Sequence, residues 1–235
     1  MRNFNFQTGE YYHIYNRGVD KRNIFMDEKD YTRFIRSMSE FNNIDPIGSL
    51  YRKDYEDRKK KEAKGVQHPI GCWTPNQPKP NLLTPDKFNK HLVEFICYSL
   101  LPNHYHFLIK QLVSGGISEF MKRISGGYTN YFNRKNNRSG SLFEGNYKAI
   151  LVKKYSHFLR LAVYINCNSE VHRIRKAENW PWSSYLDYVN KRNGSLCNKK
   201  MILNEFRNIK EFKNFCNQVL PGIIKIPELN KYLLE

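Results

Sequence analysis

Polar and apolar residues alternate most clearly between Asn103 and Lys110. In an extended strand, His104, His106, Leu108 and Lys110 share one face while Tyr105, Phe107 and Ile109 share the other. The apolar triplet suits a sheet face packed on helices, which leaves the histidine face as a working surface. Leu92–Leu100 is a second apolar run, and Pro102-Asn103 separates the two so briefly that an antiparallel hairpin is expected. Upstream, Tyr11–Asn16 reads as a first strand ending in the turn pair Arg17-Gly18. Asp27 or Asp30 caps a helix running to about Phe41, with Tyr31, Phe34, Ile35 and Met38 at helical spacing.

After Gly115-Gly116 a longer helix is expected from Ile117, Phe120, Met121, Ile124, Tyr128, Tyr131 and Phe132, interrupted by Gly126-Gly127. Gly145–Lys153 reads as the last strand, and Tyr155–Asn168 as a helix burying Phe158, Leu161, Ala162 and Ile165. The order strand, helix, strand, strand, helix, strand predicts an α+β fold: a ferredoxin-like antiparallel sheet with helices on one face.

Two stretches lie outside that pattern. From Asp45 to His91, Pro46, Pro69, Pro75, Pro78, Pro80 and Pro85 punctuate polar sequence around Arg58-Lys59-Lys60-Lys61, predicting an insertion with one short helix over Lys53–Lys64. Beyond Tyr188, Phe206, Ile209, Phe212 and Phe215 predict a small helical tail. The expected organisation is one domain over 1–188 carrying the insertion at about 45–91, followed by an extension over 189–235.

Charge narrows the partner. The 235 residues carry 39 Lys and Arg against 22 Asp and Glu, a formal net charge of +17, together with 16 Tyr and 15 Phe. Phosphates neutralised by such cations release condensed counterions, and aromatic rings offer stacking platforms for unpaired bases, so nucleic acid is the favoured partner. A solubilising surface or an anionic membrane would use the same charge. Cys72, Cys97, Cys167, Cys197 and Cys216 are odd in number and scattered, which argues against a disulfide framework or a zinc ribbon and for a reducing cytoplasm. No apolar signal core or membrane-length run is evident.

Neutral imidazoles bind divalent metals, and His104-x-His106 places two of them on one strand face. A half-exposed sheet also carries histidines for packing alone, so the pair needs partners. Tyr164 and Asn168 stand four apart and share a helix face beside the buried stripe; the amide offers an oxygen and the phenol is a nucleophile able to attack phosphorus. His13 reads as structural or substrate-facing, and His157 as a helix-surface histidine.

The segments Tyr15-Asn16-Arg17-Gly18, Leu101-Pro102-Asn103-His104-Tyr105-His106-Phe107-Leu108, Gly140-Ser141-Leu142-Phe143-Glu144-Gly145-Asn146-Tyr147-Lys148, Tyr164-Ile165-Asn166-Cys167-Asn168 and Trp180-Pro181-Trp182-Ser183-Ser184-Tyr185 together resemble the single-tyrosine HUH transposases of bacterial insertion sequences, in their REP-associated tyrosine transposase branch. The resemblance implies a metal-dependent single-stranded DNA endonuclease and strand transferase working through a 5′-phosphotyrosine, on hairpin or repeat DNA. It implies Tyr164 as nucleophile and His104, His106 and Asn168 as ligands of Mg²⁺ or Mn²⁺. Lys110 and Lys148 are candidates for phosphate contact, and Arg123, Arg134, Lys135 and Arg138 for the hairpin-binding surface. The expected state is a cytoplasmic monomer or homodimer. This chain departs from its relatives in having Asn168-Ser169 where Asn-Pro is usual. Competing readings are a non-catalytic or domesticated single-stranded nucleic-acid-binding module and a replication-type nickase.

Overall fold

A computed structural model describes residues 5–62 and 90–223. Four strands, β1 (Tyr11–Arg17), β2 (Val93–Leu101), β3 (His104–Gln111) and β4 (Lys148–Leu151), form one sheet in the order β2-β3-β1-β4. Every neighbouring pair is antiparallel, as the ferredoxin-like pattern predicts. Helices α1 (Glu28–Glu40) and α3 (Gly116–Lys135) cover one face. There Tyr12 and Ile14 of β1, Phe95 of β2 and Tyr105, Phe107 and Ile109 of β3 pack with Phe34, Met38, Phe120 and Ile124. Each such side chain contributes roughly 1.5–3 kcal/mol by leaving water, so the alternation in β3 is enforced by burial.

Local chemistry starts and joins these elements. The Asp27 carboxylate accepts from the Asp30 amide at 3.1 Å and begins α1 where the sequence suggests. Asp30 itself is buried between α1 and α3, accepting from the Met26 amide, the Tyr131 hydroxyl and Lys135 Nζ at 2.8, 2.9 and 2.6 Å. Gly18 closes β1 because a Cβ there would stand 2.3 Å from the Arg22 carbonyl oxygen.

The second sheet face departs from expectation. It is covered by α4 (Tyr155–Asn166), against which α8 (Ile209–Ile223) packs in turn, so it is not an open surface. Leu161, Ala162, Val163, Tyr164 and Ile165 are all buried against Ile96, Cys97 and Leu108 of the sheet and Phe212, Cys216 and Ile223 of α8. The C-terminal extension therefore completes a second core; the sequence shows its apolar stripe without showing where it docks.

A bulge in β2 between Phe95 and Cys97 shifts the alternation by one. As a result Tyr98 and Leu100 join the α1/α3 core, and Ser99 lies directly across from His106. The outer edge of β2 is covered by the Trp-Pro-Trp-Ser-Ser-Tyr segment, through Leu100 N–H to the Trp182 carbonyl at 2.9 Å and Ser184 N–H to the Tyr98 carbonyl at 3.0 Å. Three short helices, α5 (Asn168–Val171), α6 (Tyr185–Tyr188) and α7 (Lys200–Leu203), connect the larger elements. In the insertion, α2 spans Leu50–Glu62, three residues earlier at its start than predicted; the prolines from Pro69 to Pro85 and Cys72 lie outside the described residues. The cysteines among the described residues are free thiols. No helix among the described residues is long and apolar enough to cross a membrane.

Candidate active site

Strand register brings the histidines together. Tyr15 pairs with His106 and Arg17 with His104 across β1 and β3. His13, two residues from that direct pairing, reaches diagonally so that its Nε2 lies 2.8 Å from His106 Nδ1. The rings of His104 and His106 meet edge to face at 5.2 Å, and Tyr15 stacks on His106 at 5.6 Å. From α4, Tyr164 sets its ring edge to face against His106 at 5.5 Å. Strands β1 and β3 and helix α4 thus bring the rings of His13, His104, His106 and Tyr164 into contact.

Their surroundings differ from expectation in two respects. Tyr164 lies inside the buried layer at 0 % exposure, because both the sheet and α8 cover that end of α4. The helix also ends at Asn166: Cys167, with φ −98° and ψ 16°, breaks it, and Asn168 begins α5. Tyr164 and Asn168 therefore do not share one continuous helix face. Asn168 still abuts His104 without meeting hydrogen-bond geometry, and its amide favours that ring's charged form.

Proton positions can be read for His104. Asn103 donates its amide nitrogen to the Lys21 carbonyl at 3.3 Å, which turns its oxygen toward His104 Nδ1 at 2.7 Å. An amide oxygen only accepts, so Nδ1 carries the hydrogen and Nε2 keeps its lone pair. Burial, reinforced by His172, lowers the His104 pKa to about 3, and burial with His157 nearby lowers His13 to about 3. His106 is pushed well down by burial and then by its histidine neighbours. All three rings are neutral near pH 7, the state a metal requires.

His104 Nε2, His106 Nε2, the Asn168 amide, Ser99 Oγ and Ser169 Oγ are buried without a hydrogen-bond partner among the described residues. Orphaned atoms of this kind cost roughly 1–3 kcal/mol each unless something binds them. No group of three or more His, Cys, Asp or Glu among the described residues is arranged to hold a metal. Two imidazole nitrogens and an amide oxygen nevertheless form a mixed donor set suited to an intermediate divalent ion. His104 keeps 5 % exposure and its ring meets exposed His172 at 4.8 Å, so this end of the site faces solvent.

The predicted basic surface divides. Lys148 is exposed with Nζ 6.0 Å above the Tyr15 ring, beside the histidines. Lys110 lies over Tyr11 at 5.5 Å, further along the same strand. Arg134 is exposed on α3, on the opposite side of the sheet. Arg123 is 15 % exposed and binds Glu119 and the carbonyls of Phe41, Asn43 and Ile44, so its donors serve the fold. Lys135 is committed to Asp27 and Asp30, and Arg138 binds Asn133 and the Ser141 carbonyl. His157 is half-buried near His13 rather than on the free helix surface. His13, read from the sequence as structural or substrate-facing, and Asn103 and the Glu144-paired Arg17, present there only as motif residues without a role, are neighbours of the site. The β1–β3 register is the signal that would have placed His13 and Arg17 beside the histidine pair.

Residues 81–168 match the sequence profile of the family described as Transposase IS200 like, a stretch that includes His104, His106, Tyr164 and Asn168. Over that segment the chain is similar to the IS200-like transposases. No curated protein matches the chain. A solved structure described as the REP associates tyrosine transposase bound to a REP hairpin is similar at 13% identity and a TM-score of 0.46, covering 81% of this chain and 85% of that chain.

Proposed function

We propose that this protein is a metal-dependent single-stranded DNA endonuclease and strand transferase with Tyr164 as nucleophile, acting on hairpin or repeat DNA. The observation that carries the reading is the collection of orphaned buried donors, His104 Nε2, His106 Nε2 and the Asn168 amide, around the ring that Tyr164 touches. His104, His106 and Asn168 would hold Mn²⁺ or Mg²⁺, which when bound supplies Lewis-acid polarisation of the scissile phosphate. The Tyr164 oxygen attacks phosphorus and releases its phenolic proton, the P–O3′ bond breaks, and the 3′ oxygen leaves as a hydroxyl by taking up one proton, so that the proton count is unchanged. The 5′-phosphotyrosine keeps the phosphodiester energy, so a 3′-hydroxyl from another strand reverses the step and joins DNA. Arg17 and Lys148 flank the histidines and offset phosphate charge. Because Tyr164 is fully buried, the phosphodiester reaches it only when the layer formed by α4 and α5 separates from the sheet.

That burial also favours a second reading, a nucleic-acid-binding module without chemistry. Incubation with labelled single-stranded DNA from the gene's own flanks, with Mn²⁺ or with chelator, separates the two. A metal-dependent adduct resistant to denaturant and absent in Tyr164→Phe is expected. Cleavage with no adduct would replace Tyr164 by water, and binding without cleavage across the hairpins tested would favour the module.

A further inference from the structure

We propose that His13 is a positioning residue that sets the proton of His106, holding the tautomer whose Nε2 can bind a metal. The inference rests on the reading of His104 and His106 as metal ligands. His13 is fully buried, its Nε2 is 2.8 Å from His106 Nδ1, and its own Nδ1 has no hydrogen-bond partner among the described residues. Tyr15 lies over both rings, 4.8 Å from His13 and 5.6 Å from His106, and Tyr164 closes the edge of His106. The pair is thereby fixed in place with one hydrogen between two nitrogens.

That hydrogen has two arrangements. If His13 donates, His106 carries its other hydrogen on Nε2 and that nitrogen cannot ligate. If His106 donates from Nδ1, His106 Nε2 presents a lone pair toward the site and His13 holds its hydrogen on Nδ1. Each arrangement leaves one buried N–H without an acceptor, on His106 in the first and on His13 in the second. Coordination at His106 Nε2 therefore selects the second arrangement, and His13 Nε2 serves as the acceptor that makes it affordable. His104 reaches the same state by a different device, the Asn103 amide oxygen. Two adjacent ligands thus have their protons fixed by two different outer neighbours, which is how metal-binding imidazoles are commonly oriented.

The test is Mn²⁺ binding followed by calorimetry, for the full chain, without DNA. The wild type is expected to bind, with His104→Ala abolishing it; a wild type that does not bind, or a His104→Ala protein that binds equally, overturns the ligand reading and this inference with it. Given binding, His13→Phe is expected to weaken it by about 10- to 100-fold, and His13→Gln, whose amide oxygen accepts, to restore most of the loss. Equal affinity in His13→Phe overturns the positioning role while leaving the ligands intact. Nitrogen-15 spectra of histidine-labelled wild type with Mg²⁺ provide a readout that needs no variant. The expected signature is hydrogen on Nδ1 of His106, and hydrogen retained on Nε2 overturns the proposal.

Discussion

Acidification from pH 7 to pH 5 should destabilise the metal-free protein by at least about 4 kcal/mol, and the origin is the buried histidines. His13 and His104 have pKa values lowered from 6.5 to about 3 by burial, so in the folded protein they stay neutral throughout this interval. In the unfolded chain they take up protons below about 6.5. The unfolded state then binds more protons, so stability is full above the unfolded value and is lost as pH falls toward the folded one. At pH 5 the cost is RT ln(1 + 10^1.5), about 2 kcal/mol for each histidine. A folded value anywhere below about 4 gives the same figure, because the folded term is then negligible at pH 5. His106 is shifted in the same direction and adds to the loss. Asp27 and Glu144, held down by Lys135 and Arg17, release their contributions below about pH 4, outside the interval. The assay is urea unfolding at pH 7, 6 and 5 in chelator, with the slope checked for constancy. A change under about 1 kcal/mol, or a gain on acidification, would show that the three imidazoles are not held neutral in the fold.

Five substitutions probe other parts of the structure. Asn42 pairs its amide with both backbone groups of Val93, accepting from N–H at 2.9 Å and donating to the carbonyl at 2.7 Å, so Asn42→Ala should cost about 1–3 kcal/mol in urea unfolding. Asp30→Ala strips three partners from the buried junction of α1 and α3 and should cost about 3–5 kcal/mol by the same measurement, with Lys135→Ala smaller because its ammonium is partly exposed. In fluorescence titrations with single-stranded DNA, Lys148→Ala should lower the salt slope by roughly 1. Arg123→Ala should leave that slope unchanged and instead lower stability, since its donors hold backbone carbonyls; a reduced slope would return Arg123 to the DNA surface.

The resting state described by these residues is closed. Tyr164, His106 and His13 have no exposed surface, whereas Arg17, Lys148 and His172 reach solvent around them. On the proposed function, a phosphodiester would meet the flanking cations before it met Tyr164. On the proposed function, opening of the α4–α5 layer is part of the reaction, and the rate of adduct formation should rise when that layer is loosened and fall when it is clamped.

The four strands, the two helices of the first layer and the face shared by His104 and His106 were legible from the sequence, because period and burial are coupled locally: β3 alternates since Tyr105, Phe107 and Ile109 must all leave water on the same side. The start of α1 was legible for a similar reason, since a capping carboxylate acts within one turn. Tertiary structure alone decided the rest. The bulge in β2 that brings Ser99 opposite His106, the diagonal approach of His13, the break at Cys167 between Tyr164 and Asn168, and the docking of α4 on the histidine face with α8 behind it depend on register and on packing between residues far apart in the chain. A single strand or helix carries no record of which neighbour will cover it. The sequence thus offered the candidate residues, and the fold determined that they meet in a buried layer where several of their polar atoms have no hydrogen-bond partner among the described residues.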